Sequence, residues 1–165
     1  MKRILLTVFA AMLLVLSGCG GQLAAEFSES DLLLNVGGNA YRCRDNIETV
    51  IANLGDVYEY AEGKSCNYDG LDKTYAYADA TFYTNPLSDG DLLNEIYTES
   101  EAVTTSKGLA VGVSKADVLA AYGEPRTQDD YLLLYRLSDE IGQPGLCFEL
   151  DGDAVVAIYL TLEAV

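Results

Sequence analysis

Apolar positions along this chain follow two rhythms, and each rhythm predicts an element. Ile47, Val50, Ile51 and Leu54 fall at i, i+3, i+4 and i+7, which is one apolar face of a helix. Asn46 is a good N-cap for it, and Gly55 stops it because glycine takes the left-handed conformation cheaply. Val118, Leu119 and Tyr122 repeat the face, with Lys115 in place of the first apolar residue. Ser114 caps that helix, Asp117 completes a capping box with Asp in the Glu position, and Gly123 followed by Pro125 ends it. Elsewhere the apolar period shortens and β-branched and aromatic residues gather, which reads as strand. The predicted strands are 57–60, 73–78, 80–84 and 92–98 in the first half, and 131–137, 146–150 and 155–162 in the second. Asp89-Gly90 and Asp151-Gly152 are two-residue hairpin signals, since a type I′ turn needs positive φ at both central residues.

The two halves match each other. Gly55 and Gly123 are 68 positions apart; Asp89-Gly90-Asp91 and Asp151-Gly152-Asp153 are 62 apart and identical. Both blocks occur in the same order, so the chain reads as an internal repeat, the second copy six residues shorter between its helix and its last hairpin. Each copy is a short helix followed by a small antiparallel sheet. The expected fold class is α+β, with repeats over 32–100 and 101–165. A unit of about 65 residues is marginal alone, so the copies should pair their sheets or share a core.

The amino end has a different character. Lys2 and Arg3 precede an uncharged apolar run, 4–16, and then Ser17 and Gly18 lead into Cys19. That order describes a signal peptide over 1–18. Leu16-Ser17-Gly18-Cys19 resembles the lipobox of bacterial lipoproteins, which implies a lipid-bearing Cys19, membrane attachment through that lipid and an extracytoplasmic location. Two acyl chains suffice for stable anchoring, at about 0.8 kcal/mol per buried CH₂. Residues 19–31 then read as a flexible tether, its eleven residues from Gly20 to Ser30 reaching about 18 Å.

Charge and composition narrow the function. There are 26 acidic and 10 basic residues, and losing Lys2 and Arg3 with the leader takes the net charge from −16 to −18. Such a chain repels phosphate backbones and anionic headgroups, so nucleic acid is not an expected partner; the charge reads first as solubility outside the cell, with a basic partner or a divalent cation as the sharper alternative. The chain has no His, which removes Ser-His-Asp and Cys-His catalysis and His-rich zinc sites. Three cysteines remain besides Cys19. Cys43 and Cys66 are the candidate disulfide, a closure contributing about 3 kcal/mol, with Cys147 free; the alternative is that all three stay reduced.

The run Gly112-Val113-Ser114-Lys115, continued by Val118, Tyr122, Gly123 and Pro125, is similar to the repeat of the secreted β-lactamase inhibitor protein family. It is also similar to the domain of the small helper lipoprotein of the outer-membrane β-barrel assembly machine. The segment Ser65-Cys66-Asn67-Tyr68-Asp69-Gly70 resembles part of uncharacterised lipoproteins of Gram-positive anaerobes. The resemblance implies a helix packed on an antiparallel sheet, in tandem. The first copy departs from the pattern, with Arg44 where the second has Gly112, and with no Pro after Gly55-Asp56.

No Gly-x-Ser-x-Gly, Ser-x-x-Lys, HExxH, CxxC or phosphate-binding Gly loop is present, so catalysis, a metal centre and a cofactor are not expected. The two Asp-Gly-Asp runs lack the alternating acids and terminal Glu of a calcium loop. Tyrosine is the candidate binding chemistry. Tyr75, Tyr77, Tyr97, Tyr135 and Tyr159 lie on predicted strands, and if Ile96 and Ile158 face the helices then Tyr97 and Tyr159 face outward. The expected function is a lipid-anchored module that recognises an extracytoplasmic protein or cell-wall partner through these five residues. The alternatives are a carboxylate-dependent cell-wall hydrolase and an inhibitor of a secreted hydrolase.

Overall fold

The computed structural model describes residues 26–162. Cys19, the leader and most of the tether lie outside the described residues. The fold is mixed α+β, mostly antiparallel sheet with two helices. In chain order it comprises a 3₁₀ turn (Glu29–Asp31), β1 (Leu34–Val36), β2 (Asn39–Tyr41), α1 (Ile47–Leu54), β3 (Glu59–Lys64), β4 (Leu71–Ala76), β5 (Thr81–Leu87) and β6 (Gly90–Thr98). There follow β7 (Thr104–Thr105), α2 (Lys115–Tyr122), β8 (Thr127–Gln128), β9 (Leu132–Arg136), β10 (Gly145–Asp151) and β11 (Ala154–Thr161).

Eight strands form one antiparallel sheet in the order β3-β4-β5-β6-β11-β10-β9-β8. The last strands of the two halves meet at its centre, where Ile96 pairs with Leu160, Tyr97 with Tyr159 and Thr98 with Ile158. A small sheet, β2-β1-β7, joins the halves a second time. Both helices begin and end as their sequences dictate. The Asn46 side chain accepts from Glu48 N–H, and Ser114 with Asp117 closes a full capping box. Gly55 and Gly123 end the helices at φ of 86° and 75°.

Bonds at the two helix entries fall at matched positions. Arg44 N–H donates to Leu93 O and Leu93 N–H to Asp45 O, at 2.7 and 2.8 Å. Gly112 N–H donates to Val155 O and Val155 N–H to Val113 O, at 2.8 and 2.9 Å. At the far ends, the Tyr77 hydroxyl donates to Gly55 O (2.8 Å) and the Tyr135 hydroxyl to Gly123 O (2.9 Å). Each phenol thereby satisfies a carbonyl at a helix end that has no intrahelical partner.

One face of the large sheet carries the core. Tyr75, Phe82, Ile96, Leu160, Leu146 and Tyr135 stand directly opposite one another in a single row across six strands, and exposed Tyr60 continues the row on the edge strand β3. The helices and the small sheet cover that row through Ile47, Val50, Val118, Tyr122, Leu34 and Tyr41, all in one contiguous cluster. The two halves therefore share both a sheet and a core.

Three local expectations change. Residues 27–31, assigned to the tether, are built into the fold. Phe27 packs its ring on Tyr122 and Tyr135, at 6.0 and 5.5 Å, and Asp31, only 4% exposed, accepts from Ser106 Oγ at 2.8 Å and lies 3.6 Å from Lys107 Nζ. Neither Asp-Gly is centred in its turn. Leu87 pairs with Gly90, leaving Ser88-Asp89 at the first tip, and Asp151 pairs with Ala154, leaving Gly152-Asp153 at the second. Among the central residues only Gly152 has positive φ (61°), while Gly90 takes φ 116° one step later, so neither turn is type I′. Each of these hairpins carries a register shift, between Tyr83 and Thr84 in the first and between Glu149 and Leu150 in the second. Finally, β3 extends to Lys64, with all six residues exposed. An edge strand studded with Glu59, Glu62 and Lys64 has no buried face to impose alternation.

Candidate functional site

Strand phase sorts the five candidate tyrosines into two groups. Tyr75 (6% exposed) and Tyr135 (1%) sit at opposite parts of the buried row. Tyr75 meets Tyr58 and Tyr60 edge-on, and Tyr135 packs against Tyr122 and Phe148. Tyr77 lies on the same side, edge-on to Phe82, with its hydroxyl committed to Gly55. Their places on the helix-free face are therefore corrected. Tyr75 pairs with Phe82 and Tyr135 with Leu146, and residues directly opposite in a sheet share a face. Desolvation raises the Tyr77 phenol to about 12 and pushes Tyr135 higher still, as expected of neutral packing rings.

Tyr97 and Tyr159 belong to the next row, running Ala76, Thr81, Tyr97, Tyr159, Cys147 and Leu134 on the opposite face. Ile96 and Ile158 are fully buried toward the helices, so their tyrosine neighbours point away. The two rings lie 6.0 Å apart, tilted by 31°, each half-buried. Tyr83, one row over and 37% exposed, stands opposite Glu95. This face is legible from the phase of Tyr97, whereas no local pattern marks Tyr83 and the acids around it. The signal that would have found them is the pairing register, which a single strand does not carry.

The surroundings of the pair are acidic. Tyr97 donates its hydroxyl hydrogen to Glu99 at 2.6 Å. Glu95 and Glu149 lie close enough to Tyr159 to raise its phenol, after desolvation and the Cys147 thiol. Arg136, opposite Gly145 in the sheet, brings positive charge to this face, where it lowers the Cys147 thiol against the larger effect of burial. The floor between the large side chains is small: Cys147, Ala157 and Thr161 are all buried. A Cβ added to Gly145 would come within 2.7 Å of Leu134 Cδ1. The face thus combines flat aromatic area with a negative rim, an arrangement that accepts cationic side chains over the rings.

Among the described residues the cysteines do not pair. Cys43, Cys66 and Cys147 are all free thiols. Cys43 turns its sulfur to Asn94 O at 3.6 Å, whereas Cys66 is exposed on the β3–β4 hairpin. The expected Cys43–Cys66 bridge is thus not formed, because the Cys43 thiol is directed into the sheet rather than toward the hairpin surface. Burial, first among several causes, pushes the Cys43 and Cys147 thiols to about 12.

Among the described residues no group of three or more Cys, Asp or Glu is placed to hold a metal ion. In the first Asp-Gly-Asp run, Asp91 instead binds Lys73 Nζ at 2.6 Å. In the second, the Asp153 carbonyl accepts from Lys115 N–H. The Asp117 and Asp139 carboxyls are held below the usual carboxylate range by Ser114 and Arg126 respectively, the opposite of what a glycosidic general acid needs. Comparison of the chain with family models, with curated proteins and with solved structures finds no match.

Proposed function

We propose that this chain is a non-catalytic, lipid-anchored extracytoplasmic binding module. Cys19 carries the lipid, and two helix-plus-sheet repeats present one open sheet face to a protein partner. The lipobox-like Leu16-Ser17-Gly18-Cys19 supports the anchor and the location. Supporting the repeats are the paired helix-entry bonds of Arg44 and Gly112, and the phenol-to-carbonyl bonds at Gly55 and Gly123. In that reading the chain resembles the tandem units of the β-lactamase inhibitor protein family in architecture, with no contact residue carried over.

The observation that carries the binding reading is the Tyr97–Tyr159 pair at the junction of the halves, on the face opposite the core. Two aromatic rings on a rigid central strand pair lose little conformational entropy on binding. Glu95, Glu99 and Glu149 around them favour a partner bearing Lys or Arg. The partner is met close to the membrane, since the fold starts within a few residues of the tether.

A photo-crosslinking phenylalanine analogue at position 83, activated in intact cells, tests this. The expected result is a discrete adduct that disappears in the Tyr97→Ala/Tyr159→Ala variant and when competing poly-lysine is added. The same analogue at Tyr131, 75% exposed immediately before β9, should give no such adduct. Adducts from Tyr131 alone would overturn the proposal. Labelling with a fatty-acid analogue, present in the wild type and absent from Cys19→Ala, tests the anchor independently.

A further inference from the structure

Arg44 is the single non-glycine residue with positive φ among the described residues, at 73°. The matched position in the second half is Gly112, at φ 91°. The same backbone bend is thus made by glycine in one half and by arginine in the other. A non-glycine side chain in the left-handed region costs about 1 kcal/mol or more, and such outliers gather at ligand sites. The strained arginine lines a cleft of about 530 Å3, within the range of small-ligand sites. The cleft is bounded by the β3–β4 hairpin tip, the β5–β6 hairpin, the β9–β10 loop and the end of β11.

The cleft's chemistry is divided. Its rim is apolar and exposed: Ile141 fully, Tyr68 at 43% and Leu87 at 39%. Asn67, Asn85 and Asn94 also line it, with Asn85 Nδ2 donating to Asp72 Oδ1 at 2.9 Å. Arg44 Nη2 donates to Gly142 O at 2.8 Å, one bond of the five that a guanidinium offers. The remaining fork is free to take a carboxylate in two parallel bonds. The field of a chain with net charge −16 opposes every anion and a multiply charged one most, so a single negative charge paired with the Arg44 guanidinium is the least opposed.

The geometry points to a second ligand site, the Arg44 cleft, which takes a monoanionic carboxylate bearing an apolar group. Two sources offer that chemistry: the carboxy-terminus of a peptide ending in an apolar residue, and a free short-chain acid. In both, the carboxylate sits on the guanidinium and the apolar group lies against Ile141 and Leu87. The site stands on different residues from the tyrosine face and does not depend on it.

Titration of the full chain in lipid nanodiscs with N-acetyl-Ala-Leu, its C-terminal amide and 4-methylpentanoate tests the site. The expected result is at least tenfold tighter binding of the acid than of the amide. Binding of both acids identifies a carboxylate site without peptide selectivity, and binding of the dipeptide acid alone identifies a peptide-terminus site; each supports the proposal. Arg44→Gly keeps the bend in its preferred residue and removes the fork, so the acid–amide difference should vanish while the Tm is unchanged or raised. Ile141→Glu, on a fully exposed side chain, should weaken acid binding about tenfold and leave the amide unaffected. Equal binding of acid and amide by the wild type would overturn the proposal. So would no binding of either acid, or an undiminished acid preference in Arg44→Gly with a falling Tm, an outcome that makes Arg44 only a tie to the β9–β10 loop.

Discussion

The two faces of the eight-stranded sheet use the same residue type for opposite ends. On the covered face, Tyr75 and Tyr135 fill a row with Phe82, Ile96, Leu160 and Leu146, and their hydroxyls are incidental or tie down a helix end. On the open face, Tyr97 and Tyr159 rest on small residues and stand among carboxylates. Tyr97 directly follows Ile96 in sequence, yet the two residues take opposite sides. Tyrosine occurs on both faces; strand phase decides which tyrosine is structure and which is surface.

Substitutions should separate the faces by magnitude. Tyr135→Ala removes a ring buried against Tyr122, Phe148 and Phe27, and should destabilise by about 3–5 kcal/mol, measured by urea denaturation. Lys107→Ala leaves the Asp31 carboxylate buried without its ammonium and should cost about 2–3 kcal/mol. Adding Asp31→Asn should restore part of that loss, which a purely steric role for Lys107 would not allow. Tyr135→Phe deletes only the hydroxyl bond to Gly123 O and should cost about 1 kcal/mol. Tyr97→Ala or Tyr159→Ala should each cost less than about 1.5 kcal/mol, since they lose a half-exposed ring contact. A loss from Tyr97→Ala as large as that from Tyr135→Ala would erase the distinction between the faces. The smallest effect is kinetic. Iodoacetamide at neutral pH should modify exposed Cys66 and leave Cys43 and Cys147 unmodified until the protein unfolds, as read by mass spectrometry of the native and urea-treated protein.

Much of the architecture was legible before any coordinates. Both helices run between the caps that Asn46, Gly55, Ser114 and Gly123 announce. Every predicted strand overlaps an observed one in the large sheet. The misses share a cause. β1, β2, β7 and β8 have only two or three residues each, too short to display a period, and they exist through pairing with distant segments. The Asp-Gly pairs marked the right hairpins but not the turn centres, which cross-strand register sets at Ser88-Asp89 and Gly152-Asp153. Phe27 in a small, polar stretch gave no local sign that it would pack on Tyr122. Of the five candidate tyrosines, two reach the open face and three serve the core or a helix end.

Caps, stops and helical stripes could be read from residues alone because their chemistry acts within about four positions of the chain. The expectation of a leader and a lipid-bearing Cys19 rests on the same kind of contiguous signal. Which ring is buried, where a turn is centred, and that Arg44 occupies a glycine's bend beside an apolar rim were settled by register and packing between segments far apart in sequence. Those relations are energies of the assembled core, and no local window of residues contains them.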